Sequence, residues 1–248
     1  ALVSYPYLRN IDGNKLVDDN GYYVRDTELA VIGDPSPNWI GGLLSFMQFK
    51  GFNLNFSIDM KSGGDIFSQT NYFGMQTGKL IESLSGRDEG RGGLPYYKSD
   101  DGRWILLNDH DLDIAPNGNM VYHDGMILEG VNNNGMPNEQ VIPASDYYRR
   151  TYYRYSGFYE EGVFENTYIR LREFSLGYDL AHSLLRKGKI NGLLLSLIGR
   201  NLFYFKKSVP HIYVDSAFGS MSEYTFQENG ALPSARSIGF SLKAQFGN

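Results

Sequence analysis

The residues of this chain with the most evident chemical capacity are the carboxylates of "NDHDLDIAPNGN", where Asp109, Asp111 and Asp113 alternate around His110. Hard oxygen ligands so close together suit Ca²⁺, but the run lacks the sixth-position glycine and the distal glutamate of an EF-hand loop. A solvated acidic loop is the commoner outcome, so no metal ligand is assigned between Asp109 and Asp113. The four histidines, His110, His123, His182 and His211, contain no pair at metal-ligand spacing. "SGRDEGRGG" is glycine-rich, yet it does not stand between a strand and a helix as a phosphate-binding loop must. No paired acid and base is found, so the sequence predicts neither a catalytic residue nor a cofactor, and the chain is not expected to be an enzyme. Six tyrosines in polar stretches, Tyr96, Tyr97, Tyr147, Tyr148, Tyr152 and Tyr153, could stack on sugar rings or peptide side chains, or pack the loops that carry them.

The composition limits the partners. A formal net charge of -5, a pI near 5.4 and no basic run longer than two residues exclude a nucleic-acid footprint. With no cysteine there is no disulfide and no thiolate metal site. Aromatic residues make up 15% of the chain and glycines number 29, a balance that favours strands. No apolar stretch is long enough for a transmembrane helix. The opening "ALVSYPYLRN" lacks the charged start and apolar middle of a signal peptide, so either the protein is not exported or this is a mature or partial chain.

The strands that must position any site are legible from alternation. In "FNLNFSIDMK", Phe52, Leu54, Phe56, Ile58 and Met60 alternate with Asn53, Asn55, Ser57, Asp59 and Lys61. A tight turn at Lys50-Gly51 would pair Phe49 with Phe52, Met47 with Leu54 and Leu43 with Ile58, all on one face. In "YIRLREFSLGYDLA" the apolar parity changes between Leu171 and Phe174, which predicts a bulge near Arg172-Glu173. After a short turn, "HSLLRKGK", comes "INGLLLSLIGRNLFYF", with Leu193, Leu195, Leu197, Phe203 and Phe205 on the apolar face; Asn201 falls on the wrong side. The last strand carries Ile238, Phe240, Leu242, Ala244 and Phe246 opposite Ser237, Ser241, Lys243 and Gln245.

Strands are thus expected near 38–50, 52–67, 165–181, 190–205 and 235–246, with long loops at 1–37, 68–164 and 206–234. Phe73, Thr77, Leu80, Ile81 and Leu84, stopped by Gly86, predict one helix in the middle loop. Alternation of this kind fits a soluble β-sandwich, a carbohydrate-binding one among them. It also fits a transmembrane β-barrel, where strands of about 9–11 residues turn apolar side chains to lipid and polar ones to a lumen. Short turns alternating with long loops, aromatics near strand ends and charges on the polar face favour the barrel. In such a wall Arg170 and Arg172 would pair with carboxylates rather than meet cargo.

Blocks of the sequence carry a resemblance. "DTELAVIGDPSPNWIGGLLSFMQFKGFNLNFSIDMKSGGDIFSQTN", "LIESLSGRDEGRGG", "ILEGVNNNGMPNEQVI", "FENTYIRLREFSLGYDLAHSLLRK", "LLLSLIGRNLFYF" and "LPSARSIGFSLKAQF" resemble, in order, the carboxy-terminal part of SusC/RagA-type TonB-dependent outer-membrane transporters. They cover roughly residues 27 to 93, 127 to 142 and 164 to 246. The resemblance implies an all-β fold in which residues 1–248 are the C-terminal segment of a large transmembrane β-barrel of about twenty-two strands. Some five antiparallel strands would lie here with long extracellular loops, and the plug domain would be absent. It further implies the bacterial outer membrane as location, its lipid as a partner, and glycan or oligopeptide uptake. A SusD-like surface lipoprotein, TonB acting through the plug, and the remainder of the barrel complete the partners. The final strand would resemble an insertion signal with Phe246 at the aromatic position, followed by Gly247 and Asn248.

Overall fold

The computed structural model describes residues 1–180, 190–214 and 226–246. The predicted turn at 182–189, His182 and the final Gly247 and Asn248 lie outside the described residues. The fold is mostly antiparallel β-sheet and divides into two compact units, residues 1–34 with 67–163, and residues 35–66 with 164–248.

The second unit is built on five strands: β1 (Pro37–Phe49), β2 (Phe52–Gly63), β3 (Tyr168–Leu180), β4 (Ile190–Lys207) and β5 (Ser237–Phe246). They form one antiparallel sheet in the order β5-β4-β3-β2-β1, so each strand pairs only with its neighbours among these five. The β1-β2 hairpin has the expected register, with Phe49 opposite Phe52, Met47 opposite Leu54 and Leu43 opposite Ile58. Its turn places both Lys50 (φ 47°) and Gly51 (φ 87°) in the left-handed region, the type I′ geometry whose twist matches a hairpin. The bulge in β3 lies between Leu171 and Glu173, where sequence parity put it. Asn201, on the wrong side by simple alternation, has φ 52° and sits where β4 slips register against β3. Two residues of β4, Asn201 and Leu202, lie between the partners of Leu171 and Glu173, and this absorbs the parity conflict.

β2 ends at Gly63 rather than continuing to residue 67, because Gly63 and Gly64 both turn to positive φ. There the chain leaves the sheet, and it returns beside its point of departure: the Gly63 amide donates to Thr167 Oγ1 (2.8 Å) and the Asn166 amide to the Gly64 carbonyl (2.8 Å). Ile66, Val209 and Ile212 pack with Phe164 into a small apolar cluster of this unit.

The first unit differs from the expectation of a long loop with a single helix. Strands Leu94–Lys98, Trp104–Leu106, Val121–Ile127 and Val141–Pro143 form a four-stranded sheet, and Leu2–Ser4 pairs with Ala30–Gly33. There are two α-helices, α1 (Gln69–Gln76) and α2 (Ala144–Thr151). Helix α1 starts where Ser68 Oγ accepts the Asn71 amide and stops before Gly78, whose φ is 72°. The predicted continuation through Leu84 is instead a separate 3₁₀ turn, Ile81–Leu84. The core is tyrosine-rich: Tyr72, Tyr148 and Tyr152 are buried with Ala144. The phenols of Tyr72 and Tyr148 are matched to backbone acceptors, Tyr72 to Thr151 O (3.1 Å) and Tyr148 to Ser85 O (3.0 Å), so these polar tips are buried with partners.

One local motif recurs five times in this unit. In the segments starting at Asn10, Asp18, Ser99, Ala115 and Asn132, the first residue's amide donates to the carbonyl four residues on and its carbonyl accepts from the glycine three residues on. Those glycines, Gly13, Gly21, Gly102, Gly118 and Gly135, have φ between 76° and 87°. This is the three-residue hairpin turn with a glycine bulge. In three copies the first side chain also accepts two amides, as when Asp18 Oδ1 takes those of Asn20 and Tyr22 (both 2.9 Å).

Candidate functional site

Two places could act. The first is the five-stranded sheet of the second unit, whose faces differ in chemistry. On one face Leu43, Met47, Phe52, Leu176, Tyr178, Leu195, Leu197, Phe240 and Leu242 share a side by register, and all are exposed in this chain. Phe240 and Phe246 stand 81% and 70% exposed, values ordinary for a polar surface residue rather than a core aromatic. Aromatic rings gather toward both ends of this face. Phe49, Phe52, Tyr178 and Phe246 lie at the end marked by the Lys50-Gly51 turn, with the Phe52 and Tyr178 rings 4.6 Å apart. Trp39, Phe203 and Phe205 lie toward the other.

The opposite face carries cross-strand ion pairs on β2, β3 and β4, while on β1 it presents the exposed Ile40, Leu44 and Phe46, register partners of Lys61, Ser57 and Asn55. Asp59 of β2 receives Arg170 (2.8 Å) and Arg172 (3.1 Å) of β3, and Glu173 meets Arg200 of β4 at 3.3 Å. Arg170 and Asp59 are register partners, as are Glu173 and Arg200, so the ion pairs are products of the strand alignment. The bulge that skips Arg172 lets its guanidinium share the Asp59 carboxylate. The Arg170 side chain is 5% exposed, whereas that of Arg172 is 63% exposed. The pairing reading of "Arg170-Leu171-Arg172" therefore holds.

The second place is a groove in the first unit. A hollow of ≈ 460 Å³ lies between the Asp18 turn and α2 with the segment after it, and adjoins a smaller one of ≈ 300 Å³. Tyr22 and Arg150 line both. Tyr23, Tyr147 and Tyr153 line the larger hollow and Trp104 the smaller. The Arg150 guanidinium lies over the Tyr22 ring, 3.8 Å from its centroid, and the Tyr22 hydroxyl donates to Asp146 (3.0 Å). Burial, and then the neighbouring Asp146 carboxylate, push the Tyr22 phenol up to about 12. Tyr23 is pushed up to about 12 by burial and then by Glu161. Both phenols therefore stay protonated as donors over the whole ordinary pH range.

The tyrosines singled out by sequence thus part company. Tyr147 and Tyr153 reach the groove, whereas Tyr96, Tyr148 and Tyr152 are buried core residues and Tyr97 is half-buried in the sheet. Tyr22, Tyr23 and Arg150 were not singled out, although "DDNGYY" carries the recurring turn signal followed by two aromatics.

The carboxylate run is a turn: Asp109 Oδ1 accepts the Asp111 amide at 3.0 Å. Among the described residues no group of three or more His, Asp or Glu side chains is placed to hold a metal ion. In "SGRDEGRGG" the Gly86 amide donates to Arg91 O and the Gly93 amide to Asp88 O, so both serve the segment's own turns. His123 Nδ1 lies 2.6 Å from Glu89, and His211 is exposed in a turn. No protein-family model matches this sequence, and no curated protein matches it.

Proposed function

We propose that the second unit is part of the wall of a transmembrane β-barrel, in a SusC/RagA-type TonB-dependent transporter that imports glycans or oligopeptides across a bacterial outer membrane. The observation that carries this reading is the two-faced sheet. An uncovered apolar layer with aromatics toward both ends lies behind a layer of cross-strand ion pairs. Strands of 10 to 18 residues match or exceed the roughly 9–11 needed to cross a bilayer with tilt. A soluble sandwich would instead set a second sheet about 10 Å above the apolar layer. The ion-paired face then borders a watery lumen, the edges β1 and β5 continue into further strands, and the chain forms part of the barrel wall and of the extracellular rim. A SusD-like lipoprotein and TonB, acting through a plug, are the partners in this scheme, which involves no covalent chemistry.

Extraction from cell membranes tests it. The chain should leave the membrane fraction only in detergent, run with a heat-dependent shift on gels, and co-purify with a surface lipoprotein identified by mass spectrometry. Recovery in the soluble fraction, without detergent and without that partner, would overturn the reading in favour of a soluble carbohydrate-binding module.

A further inference from the structure

We infer that the groove centred on Tyr22 and Arg150 binds an acidic saccharide, holding the sugar's carboxylate or sulfate on Arg150. The chain carries a net charge of -5, yet four arginines against two aspartates line the two hollows. Arg149 is paired with Asp146 at 3.1 Å and Arg103 with Asp101 at 2.6 Å. Among the described residues, Arg25 and Arg150 form no ion pair; each lies instead over a phenol ring, Arg25 over Tyr5 at 5.2 Å and Arg150 over Tyr22 at 3.8 Å. A guanidinium stacked in this way is held flat, and its in-plane N–H groups remain available to fork a carboxylate or sulfate.

Arg150 stands where the two hollows meet, so a ligand bridging them would bring its anionic group to that residue. Of the two aspartates, Asp18 of the larger hollow already accepts two backbone amides of its own turn, and Asp19 lines only the smaller one.

The rest of the lining suits a sugar better than a peptide. Tyr23, Tyr147 and Tyr153 offer apolar ring surface with polar edges, the pairing that a pyranose ring and its hydroxyls require. The larger hollow is bordered by a turn, α2 and the segment after it, with no long apolar trough for a helix; the smaller one is lined by Trp104 of an edge strand, so triglutamate is the comparison that separates a peptide from a sugar. Both volumes fall in or near the range of about 300–1,000 Å³ found for small-ligand sites. The inference deepens the uptake reading by naming a class of cargo, but its residues all belong to the first unit. Membrane extraction tests the barrel and ligand titration tests the groove, so either can fail alone.

The test is calorimetric titration of the full chain with a glucuronic-acid-containing disaccharide, its uncharged glucose counterpart, and triglutamate. The expected result is binding of the uronate at least tenfold tighter than of either comparison ligand, weakening as salt rises. Arg150→Gln should lower uronate affinity at least tenfold with an unchanged circular dichroism spectrum, and Arg150→Lys should fall between. Equal affinity for the uncharged disaccharide, preference for triglutamate, or no binding at all would overturn the proposal. Unaltered uronate binding in folded Arg150→Gln would do the same. Should Arg150→Gln fail to fold, the three ligands compared on the unaltered chain still decide.

Discussion

Leu242 and Ser241 are adjacent on β5 and point to opposite faces, Leu242 opposite Leu195 in the apolar layer and Ser241 opposite Ser196 in the polar one. Arginine substituted at each in turn asks what those layers touch. β5 has 10 residues, and at about 3.3 Å per residue with a tilt near 45° its rise is close to the ~25 Å apolar band of an outer-membrane barrel. Leu242 stands four residues from the aromatic end at Phe246, which puts it near the midplane, where an arginine costs about 2–4 kcal/mol. Ser241→Arg, on the wet side, should cost under about 1 kcal/mol. The difference corresponds to a shift of roughly 5- to 700-fold in the folding equilibrium, at about 1.4 kcal/mol per decade. Urea unfolding from lipid vesicles, followed by the loss of the heat-dependent gel shift, measures it. Costs equal to within about 0.5 kcal/mol, or a neutral Leu242→Arg, would refute the assignment of lipid to the apolar layer.

The Asp59 cluster predicts an unequal pair of effects. Asp59→Asn withdraws charge from the buried Arg170 guanidinium and should destabilise the sheet by about 3–5 kcal/mol. Arg172→Gln, at an exposed position, should cost under about 1 kcal/mol, and a double-mutant cycle against Asp59 that gave Arg172 the larger coupling would contradict this. In the first unit the raised phenols of Tyr22 and Tyr23 make a pH prediction. A pKa raised on folding contributes stability that is fully present below about pH 10 and is lost as pH climbs toward 12. The share of tyrosinate absorbance that Tyr22 and Tyr23 contribute, read as the difference from their Phe variants, should therefore rise late and together with loss of circular dichroism, and Tyr22→Phe should make the alkaline transition less steep.

How far the fold could be read from sequence depended on the element. The β1-β2 hairpin and the β3 bulge were legible because long strands with one apolar face tolerate no slip: one residue of shift would exchange Asp59 and Lys61 for Ile58 and Met60. Asn201 was not, since its left-handed backbone and the accompanying slip depend on pairing with β3 rather than on local pattern. Little of the first unit was visible. Its strands run from three to seven residues, too short for periodicity to register, and its core is made of tyrosines that sequence patterning counts as half polar. Helix α2, "ASDYYRRT", reads as a polar loop for the same reason. The groove was half legible. Tyr147 and Tyr153 stood out as loop aromatics, but Tyr22 joins them only because the Asp18 turn delivers it there, a tertiary placement that leaves no mark on spacing.

The two hydrogen bonds joining Gly63 to Thr167 and Gly64 to Asn166 also bear on the order in which the chain folds. β2 and β3 are neighbours in the sheet, yet Asp59 and Arg170 are separated by 111 positions. Closing a disordered loop of roughly a hundred residues costs about 4 kcal/mol of chain entropy before any pairing compensates it, and such distant contacts form slowly. If the intervening segment acquires its own structure first, helped by its fast-forming local turns, much of that search is already done and β2 meets β3 nearly as a hairpin partner. Changes that loosen the tyrosine core would then slow completion of a sheet to which they contribute no strand.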